Sequence, residues 1–108
     1  MLLVDPATTS AAIADVRARS AKISLLAACL QRAATDEIAV LTHYLAGELR
    51  QRRTGLGPAA LRSIPAPAGH PTLSLLEVDT EFEQIAAMSG PGSAGARRER
   101  FRALLGRA

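Results

Sequence analysis

Apolar positions along this chain recur at three- and four-residue intervals, and no stretch of useful length alternates, so the pattern predicts helices and no sheet. Asp5-Pro6 opens the first, because proline at the first helical position gives up no bond. It runs from Pro6 to about Ala18 with Ala12, Ile13 and Val16 on one face. Ser20 is the expected N-cap of a second helix reaching about Ala33. Its stripe is Ile23, Leu26, Ala27 and Leu30, widened by Leu25 and Cys29. Thr35 caps a third, with Asp36 and Glu37 in the first turn, where the helix dipole favours negative charge. Ile38, Leu41, Leu45 and Leu49 form its apolar face, and Gly47 falls near its end. A short helix starts at Pro58, after the turn carrying Gly55 and Gly57. Ser74 and Glu77 form a capping box that opens a helix carrying Val78, Phe82, Ile85 and Met88. Gly90-Pro91-Gly92 breaks that helix, and Ser93 caps the last. The class read from this pattern is all-α, with about six helices joined mostly by short turns.

The helices are not independent. Residues 21–33, AKISLLAACLQRA, return 75 positions later as residues 96–108, ARRERFRALLGRA. Ala21, Ala28, Leu30, Arg32 and Ala33 are repeated identically, Lys22 in charge and Leu26 in bulk. A repeated helix implies a repeated helical unit. The expected organisation is a first repeat over about 6–64 and a Pro-rich linker at 65–73. A helix at 74–89 follows, then the opening of an incomplete second repeat at 90–108. On this reading the chain is the front part of a larger domain, and the cut-short repeat should expose an apolar edge near Leu104 and Leu105.

Composition narrows the picture. Apolar residues make up 48% of the chain, which excludes a disordered tail, but many are alanine and only three residues are aromatic: Tyr44, Phe82 and Phe101. The expected core is therefore thin. Cys29 is the only cysteine, so no intrachain disulfide can form, and a cytosolic setting is the natural inference. The first residues, Met1-Leu2-Leu3-Val4, lack the basic start of a signal peptide, and no window has the apolar length of a membrane span.

The net charge of +3 hides a strong segregation. Residues 50–71 carry Arg50, Arg52, Arg53 and Arg62 with no acid, whereas residues 72–90 carry Glu77, Asp79, Glu81 and Glu83 with no base. Residues 91–108 carry five arginines against Glu99. Lys22 is the sole lysine. A planar guanidinium can donate two hydrogen bonds to one phosphate, which suits arginine to polyanions. The plainer account is a GC-rich coding bias, which explains the arginine usage better than its clustering.

Two segments combine glycine, arginine and a helix start. One is Arg50-Gln51-Arg52-Arg53-Thr54-Gly55-Leu56-Gly57; the other is Ser89-Gly90-Pro91-Gly92-Ser93, followed by Arg97 and Arg98. A helix N-terminus offers unpaired N–H groups, glycine permits close approach, and arginine supplies full charge, which together suit nucleic-acid phosphate. The structural alternative is a C-cap glycine, a turn and solvated arginines. Neither segment has the GxxxxGK[ST] pattern of a nucleotide loop. His43 and His70 are isolated, Cys29 reads as a small core residue, and the acids at 77–83 read as a solvated helix start. No nucleophile is arranged with a base, so no catalytic residue is assigned.

The first segment, extended back to Tyr44-Leu45-Ala46-Gly47-Glu48-Leu49, resembles the YLxGxLxQxRxGxG run of the N-terminal DNA-binding domain of ATP-dependent DNA ligases, actinobacterial or archaeal in flavour. The second, through Leu104-Leu105, resembles that domain's SGxGSxxxK/RxxxLxxLL segment, and Ala7-Thr8-Thr9-Ser10 and residues 22–30 fit its opening. The resemblance covers essentially the whole chain. It implies an all-helical, internally duplicated domain that grips nicked double-stranded DNA, largely through backbone phosphates. The parent enzyme would use ATP and Mg2+ to seal nicks in replication, repair and recombination. It also implies a downstream nucleotidyltransferase domain with a KxDG lysine. Lys22, followed by Ile23-Ser24-Leu25, is not that lysine, so this chain would not ligate alone. Two positions depart from the family pattern: Arg97 stands where many relatives have lysine, and Thr54 where they have isoleucine or valine.

The expected phosphate-facing residues are Arg52, Arg53, Gly55, Gly57, Gly92, Ser93, Arg97 and Arg98. Binding should be sequence-independent, because phosphate contacts position a duplex without reading it. The rival is a stand-alone helical module binding a protein, or a second copy of itself, through the apolar edge. A helix-turn-helix regulator is weaker, since no helix pair presents a recognition helix rich in base-reading residues.

Overall fold

Five α-helices and two 3-10 turns account for the regular structure in the computed structural model, which describes residues 1–108. The helices are α1 (Val4–Ala14), α2 (Arg19–Gln31), α3 (Ile38–Leu45), α4 (Leu75–Ala87) and α5 (Ser93–Arg107). A 3-10 turn at Thr35–Glu37 leads into α3, and another occupies Pro58–Leu61, where a short helix is expected. There is no strand, only an isolated bridge between Leu2 and Ser74. The all-α expectation therefore holds.

Helices α1, α2 and α3 pack on one another, α4 pairs with α5, and α3 joins the two groups by packing on α4. One buried cluster, Cys29, Val40, Leu41 and Leu75, lies at the α2–α3–α4 junction. A second, Leu73, Val78 and Leu104, lies under α4 and α5. Leu3 and Tyr44 pack against both and so connect them. The N-terminal residues seal the junction through backbone bonds from Leu3 N to Leu73 O and from Leu75 N to Met1 O, each 2.9 Å.

Several termini differ from expectation, each for a local reason. α1 starts at Val4, ahead of Pro6, because Asp5 Oδ2 accepts the Leu2 N–H at 3.1 Å and organises the first turn. It stops at Ala14, since the chain needs residues 15–18 to reverse before α2 can lie against α1. α2 begins at Arg19 behind an extended Ala18, so Ser20 is not its cap. Its inward positions are Lys22, Leu25, Leu26, Cys29 and Leu30, while Ile23 and Ala27 face outward. Thr35 does not cap. Glu37 takes over, accepting from Ala34 N at 2.8 Å and from the Met1 ammonium at 2.5 Å. α3 ends at Leu45 with a left-handed Gly47, Glu48 N bonding His43 O and Gly47 N bonding Tyr44 O, the Schellman arrangement. Leu49 thus lies beyond the helix, and exposed Ile38 is replaced in the core by Val40.

The Ser74–Glu77 capping box forms with both bonds, 3.0 and 3.1 Å, as the spacing predicts. The Pro-rich segment at 65–73 is strapped down: Ala68 N donates to Ala108 O at 2.8 Å, and Leu73 is buried. No open edge forms at Leu104, which is only 5% exposed against Leu73 and Val78, and Leu105 is half-buried. The most exposed large apolar side chains are instead Leu61 and Ile64, at 57% and 64%. No helix is long and apolar enough to cross a membrane.

Candidate nucleic-acid interface

The acids of α4 set the geometry of the first arginine segment. Arg50 Nε donates to Asp79 Oδ1 at 3.0 Å and its Nη2 to Asp79 Oδ2 at 3.1 Å; Nη2 also meets Glu83 Oε2. The Gln51 amide donates to Asp79 Oδ1 at 2.9 Å, to the Asp79 carbonyl at 3.1 Å and to Glu83 Oε2 at 3.1 Å. Burial pushes the Asp79 carboxyl up, but the hydrogen bonds from Arg50 and Gln51 outweigh it and hold the group below the ordinary aspartate value. Two adjacent residues of the loop are thereby fixed to one helix.

The next residue turns sharply. Arg52 has φ +63°, and Arg53 N reaches back across it to Gln51 O at 2.7 Å. A single-residue turn with positive φ at a non-glycine residue is a strained γ-turn. Arg52 and Arg53 emerge from it exposed, and neither enters any of the chain's ion pairs.

Gly55 and Arg97 bring the two segments together. Gly55 has φ +75°, and a Cβ built on it would sit 2.7 Å from the Cζ of Arg97. The Arg97 guanidinium lies beneath this loop and donates through Nη2 to the Met88 carbonyl, at the start of the second glycine segment. Its Nε is buried without a partner. Arg97 is thus turned between the loops rather than outward. Gly92, with φ +78°, occupies the N-cap of α5, and half-buried Ser93 is the first helical residue rather than the cap. Arg98, one residue past Arg97, is exposed and in no ion pair. Gly57 is extended, with φ −111° and nothing near its would-be Cβ, so neither backbone nor packing demands glycine there.

Sequence reasoning missed the role of the acids at 77–83. They pair across elements: Glu81 with Arg100 at 2.8 Å, Glu77 with Arg107 at 3.3 Å, and Asp79 and Glu83 with Arg50. The signal was the pair of neighbouring segments of opposite charge. Their pairing leaves Arg52, Arg53 and Arg98 as the exposed cations of the two segments that enter no ion pair, while Arg97, also in none, is turned inward. No group of three His, Cys, Asp or Glu converges, and the α4 carboxylates Asp79, Glu81 and Glu77 are engaged by guanidinium.

No protein-family model matches the chain, and no solved structure does. Curated proteins do match. A "Probable DNA ligase" of Kineococcus radiotolerans is 49% identical over 111 aligned residues, covering 100% of this chain and 22% of the relative. One of Beutenbergia cavernae is 50% identical over 97 residues, covering 90% of this chain and 19% of the relative. One of Mycobacterium marinum is 48% identical over 101 residues, covering 92% of this chain and 20% of the relative. Identity at this level along the whole chain, to several proteins of one name, makes common ancestry the only reasonable account. Over its length the chain is thus similar to part of these probable DNA ligases, and it spans about a fifth of the length of the curated relatives it matches.

Proposed function

We propose that this chain is a duplex-DNA-gripping portion of an ATP-dependent DNA ligase, holding nicked DNA through its phosphates without reading sequence. The observation that carries the proposal is the seating of Arg97 under Gly55, which joins two glycine loops otherwise far apart in sequence. Within three residues of Gly55 or Arg97 in sequence, Arg52, Arg53 and Arg98 stay exposed and unpaired, and the N-terminus of α5 offers unpaired N–H groups. Arginine and helix-terminal N–H groups are the usual phosphate ligands of DNA-binding proteins. Arg97 serves this surface from within, as a spacer between the loops.

The tandem organisation belongs to the same reading. From 22 to 30 and from 97 to 105, every position has the same burial class as its counterpart, with Cys29 and Leu104 the buried pair. Helices α2 and α5 thus use one face in the same register, which supports a second repeat beginning in this chain. Adenylation and nick sealing, with their ATP and Mg2+, would be the work of the remainder of the longer relatives, in replication, repair and recombination.

A second reading, a protein-interaction module, is favoured by one feature. A groove of about 440 Å3 lies among Leu49, Leu56, Leu61, Phe82 and Phe101 and opens beside exposed Leu61. Fluorescence anisotropy with labelled nicked duplexes of unrelated sequence separates the two. Equal, weak binding to each duplex at low salt is expected. Strong preference for one sequence, or no binding at low ionic strength, would contradict the DNA proposal.

A further inference from the structure

We infer that Asp79, an acidic residue, promotes binding of the DNA polyanion by fixing the strained turn that presents Arg52 and Arg53; the inference rests on the function proposed above. The whole connection is visible. Asp79 is largely buried, with 15% of its side chain exposed, and gathers three hydrogen bonds of 2.9–3.1 Å from Arg50 and Gln51. The residue that follows those two is Arg52, at φ +63°. A left-handed non-glycine residue is unfavourable unless its surroundings hold it. The flanking residues on its N-terminal side are the ones anchored, and the turn closes through the Arg53 N–H to Gln51 O bond. Glu83 reinforces the anchor through Arg50 and Gln51. Without that anchor the loop has no other side-chain tie before the bond from the Leu56 N–H to Thr54 Oγ1.

This role makes a prediction of unusual sign. Asp79→Asn removes a negative charge and frees the positive charge of Arg50, so Coulomb attraction alone would tighten DNA binding. A positioning role requires the opposite. Loss of the two phosphate contacts from Arg52 and Arg53 should therefore weaken binding at low salt and reduce the slope of log K against log salt by about 1.8. Glu99→Gln serves as the charge control, because Glu99 is exposed, in no ion pair and next to Arg98; it should bind as well as the parent or better. Gln51→Leu breaks the same anchor with no change of charge and should also weaken binding, which covers the case of an Asp79→Asn chain that does not fold.

The experiment measures Kd for a nicked duplex by anisotropy for the parent chain, D79N, Q51L and E99Q, with D79N repeated in an R52A/R53A background. Amide exchange of Arg53 is followed in the absence of DNA. Expected results are weaker binding for D79N and Q51L and faster exchange at Arg53 in both. D79N should have no further effect once Arg52 and Arg53 are gone. Binding by D79N that equals or exceeds the parent overturns the inference, as does an undiminished D79N effect in the R52A/R53A background, or unchanged Arg53 exchange. Failure of the parent chain itself to bind overturns the DNA proposal, and the Arg53 exchange result still decides whether Asp79 holds the turn.

Discussion

Gly55 and Arg97 show how far single residues can be read before a structure exists. Both types were legible: glycine in a turn and arginine near a helix start point to a polyanion, and the two do meet. What the Arg97 guanidinium does was not legible, because a long side chain one turn into α5 can point to solvent or into a loop, and a contact remote in sequence decides. Gly55→Ala should therefore cost about 1–3 kcal/mol, through the positive φ and the collision with Arg97. Gly57→Ala should stay within about 0.5 kcal/mol, since Gly57 is extended and open. Urea denaturation of the two variants checks this; equal costs would mean that the Gly55–Arg97 packing is wrongly described.

Elements divide by whether a side chain announces their ends. The start of α4 was readable to the residue because Ser74 and Glu77 carry its capping box, whereas its end falls at Ala87, short of the expected 89. α1 and α2 have no side-chain cap, and their ends are fixed by the reversal that lets them pack. The start of α3 depends on Glu37 and the Met1 ammonium, 36 residues apart, which no local pattern reveals. Carboxylates that join elements also set the acid limit of the fold. The Met1 ammonium, then the Ala34 N–H, hold Glu37 below its ordinary 4.5; Arg100 does the same for Glu81. Asp79 lies below 3.8 despite its burial. A folded pKa below the unfolded one means stability that is fully present above the unfolded value and lost as pH falls through the folded one. The urea midpoint should thus be level from pH 7 to about 5 and decline below about 4.5. A midpoint that holds or rises on acidification would contradict these pairings.

The whole molecule is long and thinly cored, 49 × 27 × 24 Å with 11 of its 108 residues buried. The alanine-rich composition foretold this. The charge pattern foretold less than it seemed to. Of the arginines in the two basic segments, Arg50, Arg100 and Arg107 are spent on α4, Arg97 sits between the loops, and Arg102 donates to Ser63. Only the folded arrangement separates structural arginines from the free ones, Arg52, Arg53, Arg62 and Arg98, and three of these, Arg52, Arg53 and Arg98, carry the functional claim. Its most direct test is the salt dependence of nicked-duplex binding, as the slope of log K against log salt for the parent chain and for R52A/R53A/R98A. Loss of three phosphate contacts should reduce the slope by about 2.7 and leave the helical circular dichroism unchanged. An identical slope in the two chains would show that these arginines do not meet the phosphates.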